Sequence, residues 1–471
     1  MKHFPFLLSL AAGLGTACIL GGFSAAADSA GVTVPVATET TQPSGNWGVT
    51  ESGSRCYYDA QGECVTGEVT IDGTDYLFDY TGAQKTGWRT VNGIRRYYDP
   101  VTGEPVSGWV ESGGHRYYAD SDTGKLTGEQ TLESKEYILN GTVIVADGGR
   151  LNIPAGTTIK AREGFSSYLL VAQGGKLYAD GTADKPVIFT ANTTSPVSGY
   201  WGGIIINGKA PISGQNADKS DTGLTEIDNS FKYGGNVDDD NSGSLTYVQI
   251  CYAGARSTAD IEHNGLTLNG VGSGTKIENI YVLESADDAI EFFGGTVNVT
   301  NLLAVNPDDD MFDFTQGYSG TLKNCYGVWE NGYTSTEADP RGIEADGNLD
   351  GLYPTHLRQS DFRVENMTIV NNAADKADNV DRMQDVIKIR RGAKAAIVNA
   401  LVKGTGGSID LIDMSDSKGA GNADSSVSIT NSLNLTGKKL NGTLNTFAEP
   451  AGNTGTEASL FTWTGYNFSS L

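Results

Sequence analysis

Short runs in which apolar and polar residues alternate fill the chain from about residue 134 onward, separated by Gly, Asn and Asp. Alternation with a period of two predicts β-strands, because successive side chains of a strand point to opposite faces. Val145 aligns with Val171, and Leu151 with Leu177, at a spacing of twenty-six residues. A fixed spacing of this length predicts stacked coils rather than hairpins. The clearest runs span 143–145, 150–153, 158–160, 169–171, 176–179 and 187–189.

A second repeat predicts the register of the later coils. Its two copies begin at Asn279 and Asn301, and corresponding residues such as Phe292 and Phe314 lie twenty-two apart. Asn324 follows Asn301 by twenty-three residues. We therefore expect the three asparagines to form a ladder from coil to coil, and Phe292 to stack on Phe314. At about 22–28 residues per coil, residues 135–471 would hold roughly a dozen coils of a parallel β-helix.

Residues 46–130 carry a different repeat, with a period of about twenty residues. Each unit predicts a short hairpin, in which a Gly turn joins two strands rich in aromatic residues. A hairpin of this size cannot bury its own core, so we expect the units to stack and to expose aromatic slots at their edges. The four units contain Trp47 and Tyr58, Val69 and Phe78, Trp88 and Tyr98, and Trp109 and Tyr118.

The N-terminus has the features of a secretory signal peptide, which we assign to residues 1–27. A basic start and a long apolar stretch precede Ala25 and Ala27, which satisfy the small-residue rule for cleavage. Lipidation at Cys18 is the alternative. Residues 28–45 are rich in Ala, Thr, Val, Pro and Ser and predict a flexible linker. The expected location is therefore outside the cell.

Composition and charge restrict the possible partners. The 62 glycines and the 19% of charged residues fit a β-protein with many turns. A formal net charge of −24 excludes nucleic acid, because the chain cannot neutralise a phosphate backbone. After the N-terminal stretch no apolar run reaches about eighteen residues, so we expect no transmembrane segment in the mature chain.

The aromatic units resemble the choline-binding repeats of Gram-positive cell-wall proteins in their Trp start, Tyr pair and Gly end. In that family, Trp and Tyr side chains of neighbouring repeats enclose a quaternary ammonium group through cation–π attraction. The resemblance implies binding to an envelope polymer without a covalent anchor. The ligand-binding residues that it implies are Trp88, Tyr98, Trp109 and Tyr118, together with Trp47 and Tyr58.

One departure from that family pattern leaves the ligand open. Cys56, Arg96 and Arg116 stand where the family usually has an aromatic residue before the Tyr pair. An Arg beside a Tyr suits a sugar or an anionic wall polymer such as teichoic acid. The expected partner is therefore choline-bearing polymer or another wall glycan, while a further alternative is that the aromatics only form the hairpin core.

The C-terminal region is similar to secreted right-handed parallel β-helix proteins of the pectin-lyase-like group. The resemblance implies an all-β fold class, a right-handed parallel β-helix (solenoid) preceded by a β-hairpin repeat module. It implies no particular activity. The stretches that carry it are 177–190, 201–210, 233–240, 264–268 and 339–346.

Acidic residues recur at matching corners of two predicted coils. Stacked carboxylates about 4.8 Å apart repel one another unless they are protonated or bind a metal, so Ca²⁺ is a candidate cofactor. The alternatives are solvated turn residues and an acid/base pair of a polysaccharide lyase or hydrolase. The candidate calcium ligands are Asp287, Asp288, Glu291, Asp309, Asp310 and Asp313. The catalytic candidates are Asp287, Asp288, Asp309, Asp310 and Arg341.

Four cysteines follow the predicted signal peptide. Cys56 and Cys64 flank a turn and are candidates for a disulfide in an oxidising compartment. The predicted register places Cys251 and Cys325 about three coils apart, in columns three residues apart along the strand. An odd separation puts them on opposite faces of the sheet, so we expect both thiols to be free.

Two functional hypotheses follow from the sequence. The first is a surface protein held on the envelope by its repeats, with a β-helix face that serves adhesion or glycan binding, including host or environmental glycans. The second is a wall-tethered polysaccharide lyase or glycoside hydrolase that uses the acidic corner. The Gly-His-Gly motif of polygalacturonases is absent from the sequence, and His263-Asn-Gly is no substitute for it.

Overall fold

The computed structural model describes residues 45–471, apart from 92–93, 107, 113–114, 120–124, 215, 217–220, 259–260 and 374–381. The predicted signal peptide, and all but the last residue of the predicted linker, lie outside the described residues. The chain divides into two compact units: the described residues up to Gly73 with Leu77–Gln84, and Thr74–Tyr76 with Lys85–Leu471. Within the described residues, no helix has both the length and the apolar character that a membrane crossing requires.

The aromatic repeats form short strands, as their pattern predicts. In chain order they are β1 (Asn46–Val49), β2 (Arg55–Tyr58), β3 (Gly67–Ile71), β4 (Thr74–Phe78), β5 (Gly87–Val91), β6 (Ile94–Tyr98), β7 (Pro105–Val106), β8 (Gly108–Ser112) and β9 (His115–Ala119). The pairs β1–β2, β5–β6 and β8–β9 are antiparallel hairpins that set a Trp opposite a Tyr. These cross-strand pairs are Trp47 and Tyr57, Trp88 and Tyr97, and Trp109 and Tyr118.

The next strands form the first coils and the loops between them. They are β10 (Lys125–Leu126), β11 (Glu129–Thr131), β12 (Glu136–Leu139), β13 (Val143–Val145), β14 (Arg150–Pro154), β15 (Thr158–Ala161), β16 (Gly164–Val171), β17 (Lys176–Asp180), β18 (Val187–Ala191), β19 (Trp201–Asn207), β20 (Thr222–Leu224), β21 (Lys232–Gly234), β22 (Gly243–Cys251), β23 (Arg256–Thr258) and β24 (Ile261–Glu262).

The later coils have fewer and longer strands. These are β25 (Leu266–Asn269), β26 (Lys276–Leu283), β27 (Ile290–Phe293), β28 (Asn298–Val305), β29 (Phe312–Thr315), β30 (Thr321–Trp329), β31 (Ile343–Ala345), β32 (Asp361–Asn371), β33 (Met383–Lys388), β34 (Lys394–Lys403), β35 (Gly407–Asp413), β36 (Ser426–Asn431), β37 (Asn434–Leu435) and β38 (Thr446–Ala448). Three short 3₁₀ helices are Leu349–Gly351, Ala458–Thr464 and Phe468–Ser470.

Two long sheets enclose the core. The first sheet has eleven strands, in the order β10-β13-β16-β19-β25-β27-β29-β31-β33-β35-β37. The second has sixteen strands, and its main path runs from β38 through even-numbered strands to β22, then through β18, β15, β12 and β9 to β8. Strands β11, β14 and β17 join it through β22, which pairs with both β17 and β18. This architecture confirms the predicted right-handed parallel β-helix.

The parallel sheets begin ahead of the predicted start at residue 135. The first strand of the first sheet is β10 (Lys125–Leu126), which pairs with β13. The last aromatic hairpin joins the second sheet, because β9 pairs in parallel with β12. Tyr97, Val110 and Ile138 are buried together at this junction. A hairpin that covers the first coil in this way protects an edge that would otherwise expose unpaired backbone groups.

The predicted asparagine ladder is present and is longer than expected. Asn301 donates an amide hydrogen to Asn279 at 2.9 Å, and Asn324 donates to Asn301 at 2.9 Å. Asn366 and Asn399 continue the ladder with bonds of 2.9 and 2.8 Å. All five residues have φ between 56° and 59°. Asn suits this position because its short polar side chain tolerates the left-handed region better than other side chains do.

Other predicted stacks are also confirmed. Phe292 and Phe314 lie with ring centroids 5.1 Å apart and planes at 10°. Cys325 is in register with Leu302 inside the coil, whereas Cys251 is in register with Leu283, whose column packs on the outer face. Both cysteines are buried and free. In the hairpin, the sulfur atoms of Cys56 and Cys64 lie 2.7 Å apart without a bond, so a disulfide there remains a prediction.

The C-terminal residues cover the outer face of the second sheet. Phe461 is fully buried there and packs against Tyr326, with ring centroids 6.1 Å apart. Trp463 contacts Tyr247 edge to face at 5.3 Å. The sequence estimate of roughly a dozen coils counted these residues as coil. These residues cover the sheet instead. Without them, the large apolar side chains on the outer face of the second sheet would be exposed to solvent.

Candidate functional site

Two columns of acidic side chains run along the outer face of the first sheet. Register places Glu291 of β27 beside Asp313 of β29, and Asp313 beside Glu344 of β31. The turns before β27 and β29 contribute Asp288 and Asp310, which are held together because the N–H of Asp310 donates to the Asp288 carboxylate at 2.8 Å. We call the resulting set the acidic ladder. It comprises Asp287, Asp288, Glu291, Asp309, Asp310, Asp313 and Glu344.

The acidic ladder is compact; four of its residues, Asp287, Asp288, Asp310 and Asp313, are buried, and the other three are partly buried. Only 2% of Asp310 and 5% of Asp288 is exposed, which does not fit solvated turn residues. Within each of three overlapping groups, oxygen atoms from three side chains all lie within 4.8 Å of one another. The groups are Asp287, Asp288 and Asp309; Asp288, Glu291 and Asp313; and Asp310, Asp313 and Glu344.

Burial and mutual repulsion shift the ladder toward its protonated form. Burial raises the pKa of Asp309 to about 8, and the neighbouring carboxylate of Glu344 acts in the same direction. Like charges this close cannot all ionise unless a cation neutralises them. Burial first, and then nearby carboxylates, also raise the pKa well above its usual range for Asp287, Asp288, Glu291, Asp310 and Asp313.

Several ladder oxygens have no hydrogen-bond partner. Within the described part of the chain, this holds for Oδ1 of Asp309, Asp310 and Asp313, which are buried. A buried acceptor without a donor costs about 1–3 kcal/mol, so such atoms need an explanation. Carboxylate oxygens at 2.3–2.6 Å are the ligands that Ca²⁺ takes, and oxygens within 4.8 Å of one another can share one such ion. The donor set therefore fits a hard divalent cation.

Arg341 closes one end of the acidic ladder. Its guanidinium contacts Glu344, Asp339 at 2.6 Å and Asp385 at 3.4 Å. Burial lowers the pKa of Arg341, but the carboxylates of Glu344 and Asp310 outweigh that effect and raise the pKa above its usual range. An arginine held in this way stabilises neighbouring charge and is a poor proton acceptor, which disfavours it as the base of a lyase.

His263 and the basic residues Lys388 and Arg390 have structural roles. His263 is 1% exposed, and burial lowers its pKa to about 4. Its Nε2 lies 3.0 Å from the carbonyl oxygen of Phe165. Among the basic residues at the end of β33 and just after it, Lys388 contacts Asp413, and Arg390 contacts Asp346 at 2.6 Å. Each cation is neutralised by a neighbouring acid within the coil.

Glu344 is the member of the acidic ladder that the sequence pattern did not predict. It lies thirty-one residues after Asp313, whereas the preceding step from Glu291 to Asp313 is twenty-two. The extra residues form a loop before β31, which breaks the constant period on which the prediction relied. The alternation around Ile343 and Ala345, both buried, was the only available signal that Glu344 faces outward.

In the repeat formed by β1 and β2, the ring of Trp47 is already in contact with the protein's own groups. The guanidinium of Arg55 lies 4.0 Å from its centroid, in the position that a bound ammonium would take. Tyr57 meets the same ring edge to face at 5.3 Å. Tyr58 is partly exposed, and its hydroxyl donates to the carbonyl of Val49 at 2.7 Å.

In the repeat formed by β5 and β6, the side chain of the predicted ligand-binding residue Trp88 is partly exposed. Tyr97 packs against it edge to face at 5.2 Å. Tyr98 has no exposed surface and belongs to the hairpin interior. For Trp109 and Tyr118, the structure describes the backbone pairing alone.

Comparison with known proteins matches the aromatic repeats and the β-helix to two different families. Residues 65–107 match the choline-binding repeat, and residues 124–465 match the pectate-lyase-like β-helix domain. No curated protein matches the chain.

Two solved structures are similar to the repeats. Choline binding protein F from Streptococcus pneumoniae is 30% identical over 17% of this chain and 26% of its own, with a TM-score of 0.15. CbpJ from Streptococcus pneumoniae is 26% identical over 17% of this chain and 27% of its own, with a TM-score of 0.15. This chain therefore spans about a quarter of the length of those proteins.

One further solved structure resembles the chain more broadly. The catalytic domain of a GH87 alpha-1,3-glucanase is 10% identical over 69% of this chain and 64% of its own, with a TM-score of 0.25. A likeness this distant carries no argument about activity. The family match covers most of the chain and agrees with the observed coils, the register and the parallel sheets. The chain belongs to the family of pectate-lyase-like β-helix domains, and carries choline-binding repeats ahead of the β-helix.

Proposed function

We propose that this chain is a cell-wall-attached surface protein whose β-helix binds glycans. The match of residues 65–107 to the choline-binding repeat is the observation that carries the attachment. The partly exposed ring of Trp88 supports it, because an aromatic face attracts a quaternary ammonium. The parallel pairing of β9 with β12 makes the last repeat continuous with the β-helix, so that attachment and display belong to one fold.

Sedimentation with purified Gram-positive cell walls tests the attachment. The full-length protein should sediment with walls that carry choline, and free choline should release it by competing for the aromatic slots. Walls of the same kind from which choline has been removed are the matched control. Equal binding to both kinds of wall, unaffected by free choline, would instead assign attachment to a sugar or an anionic wall polymer.

We also propose that the acidic ladder holds Ca²⁺. Three unpartnered buried oxygens and three groups of mutually close carboxylates support this assignment. Asp288, Glu291, Asp310 and Asp313 would provide most of the ligands. A bound cation would neutralise the ladder and so stabilise the coils that carry it. In the glycan-binding role, its effect is to hold the sheet face rigid.

A glycan panel separates binding from catalysis. Incubation of the protein with neutral, amino and uronate polysaccharides, with and without calcium, should leave chain lengths unchanged while some of the polysaccharides are retained. Release of reducing ends or of unsaturated uronates would replace the binding role by that of a wall-tethered hydrolase or lyase.

A further inference from the structure

A pocket of about 340 Å³ lies on the outer face of the first sheet, beside the acidic ladder. Its floor is formed by outward-facing side chains of three successive coils, Ile205, Asn269 and Phe293. Tyr233 of β21 closes one side, and Glu226 lies at the exposed rim. None of these residues belongs to the acidic ladder, and none was predicted from the sequence as a site residue.

Two residues that line the pocket, Asn264 and Asn269, each have a buried amide oxygen without a donor among the described residues. Asn264 is 3% exposed and Asn269 is 2% exposed. The amide nitrogen of Asn264 donates to Glu291 at 2.6 Å, and that of Asn269 donates to Asn207 at 2.9 Å. These bonds fix both amides so that each carbonyl oxygen is left as an acceptor, without a partner among the described residues. A ligand that brings N–H or O–H donors would satisfy both oxygens.

The charge of the pocket is negative. Glu226, Glu262 and Asp350 line it, and none of the described lining residues is Lys, Arg or His. Cations outside the lining offset part of this charge, since Arg256 lies 3.3 Å from Glu262 and Arg391 lies 3.2 Å from Asp350. Glu226 at the rim adds acidic character beyond these pairs. An anionic sugar would be repelled here, whereas a cation would be attracted.

The aromatic side chains suit a sugar ring. Phe293 is partly exposed, and its ring centroid lies 6.4 Å from that of the largely buried Tyr233. The apolar face of a sugar can pack on Phe293 while its hydroxyls and amine reach the polar atoms. A quaternary ammonium has no donor for the two amide oxygens, so the pocket differs in its ligand chemistry from the aromatic repeats.

We infer that this pocket binds an amine-bearing sugar unit of the glucosamine type, presented by a glycan chain. A primary ammonium group and adjacent hydroxyls supply the donors that Asn264 and Asn269 lack, and the positive charge matches the acidic rim. This inference rests on the proposed glycan-binding function, and it specifies the class of sugar.

Titration calorimetry with three tetrasaccharides of equal length tests the inference on the full-length protein. The probes are glucosamine, N-acetylglucosamine and galacturonate tetramers, used at pH 6 with saturating choline to block the aromatic repeats. The glucosamine tetramer should bind at least tenfold more tightly than the N-acetylated tetramer, and the galacturonate tetramer should bind weakest. Added salt should reduce this preference, because part of it is electrostatic.

Two variants assign the binding to the pocket. Glu226→Gln removes a rim charge at an exposed position and should weaken glucosamine binding at least threefold, with little effect on folding. Glu129→Gln removes an exposed charge from the other sheet and should leave binding unchanged. Equal affinity for the first two tetramers, or full affinity of E226Q, would overturn the amine assignment while leaving glycan binding intact. Binding of none of the three tetramers would count against glycan binding itself.

Discussion

At the scale of single residues, the main consequence of the fold is that burial raises the pKa values of the ladder carboxyl groups. Asp309 illustrates the sign of the effect. Its pKa is raised to about 8 by burial and by Glu344, whereas an Asp in an unfolded chain titrates near 3.9. Between these values the native protein holds a proton that the unfolded chain has lost, so its stability falls as the pH rises.

Without calcium, the β-helix should therefore become less stable from about pH 4 to about pH 8. Each retained proton contributes about 1.4 kcal/mol per pH unit to this slope. Asp309→Asn should make the slope shallower by about one proton, because Asn is neutral in both states. Urea denaturation across this pH range, with a chelator present, measures the slope. Asp184→Asn, at an exposed position, is the control and should keep the slope of the unchanged protein. Identical slopes for both variants would contradict the assignment.

Calcium should reverse this pH dependence, because the ion favours ionised carboxylates. Chelation should lower the melting temperature of the protein, and more strongly at pH 8 than at pH 5, since fewer protons have to be displaced at high pH. Asp288→Asn combined with Asp310→Asn should abolish the difference between calcium and chelator. Differential scanning calorimetry gives both results. Identical melting curves in calcium and chelator would show that protonation alone neutralises the ladder.

At the scale of secondary-structure elements, the asparagine ladder ties five strands together through a demanding backbone conformation. Asn301 accepts one ladder bond and donates another, at φ 59°. Asn301→Ala removes both bonds and leaves a residue with a Cβ in the left-handed region. Asn301→Gly removes the same bonds without that strain.

The free energy of unfolding should fall by about 2–4 kcal/mol for Asn301→Ala, the sum of two lost hydrogen bonds and about 1 kcal/mol of backbone strain. Asn301→Gly should recover about 1 kcal/mol of this loss. Chemical denaturation of both variants checks the order. A lower free energy of unfolding for Asn301→Gly than for Asn301→Ala would show that backbone strain does not contribute to the loss of stability.

The strands and their register were predictable where the coil length is constant. Steps of twenty-two and twenty-three residues between Asn279, Asn301 and Asn324 predicted the ladder and the aromatic stack, whereas the position of Cys251 also needed an offset of thirty-two residues to the preceding coil. The register could not be predicted where loops of irregular length lie between the strands. Glu344 and the pocket beside Asn269 depend on loops and on distant strands, and no constant spacing encodes them.

At the scale of the whole molecule, we propose that the repeats attach the protein to the cell wall and that the β-helix binds glycans. Trp88→Ala combined with Trp109→Ala should weaken binding to choline-bearing walls about tenfold or more, because each cation–π contact contributes about 1–2 kcal/mol. Wall sedimentation at graded protein concentrations measures the change. Tyr80→Ala, at a side chain that is 84% exposed, is a matched aromatic control and should bind as the unchanged protein does. Equal loss for both variants would point to a general disturbance of the repeats.

The central claim is that one chain joins a wall anchor to a glycan-binding β-helix, and a single capture experiment tests it most directly. Choline-bearing walls are coated with the protein, washed, and exposed to a soluble fluorescent glucosamine oligosaccharide. The account predicts that coated walls retain the oligosaccharide, that bare walls do not, and that free choline releases protein and oligosaccharide together. Coated walls that fail to retain the oligosaccharide, although the free protein binds it, would contradict this claim. That result would mean that the wall polymer and the glycan compete for one site.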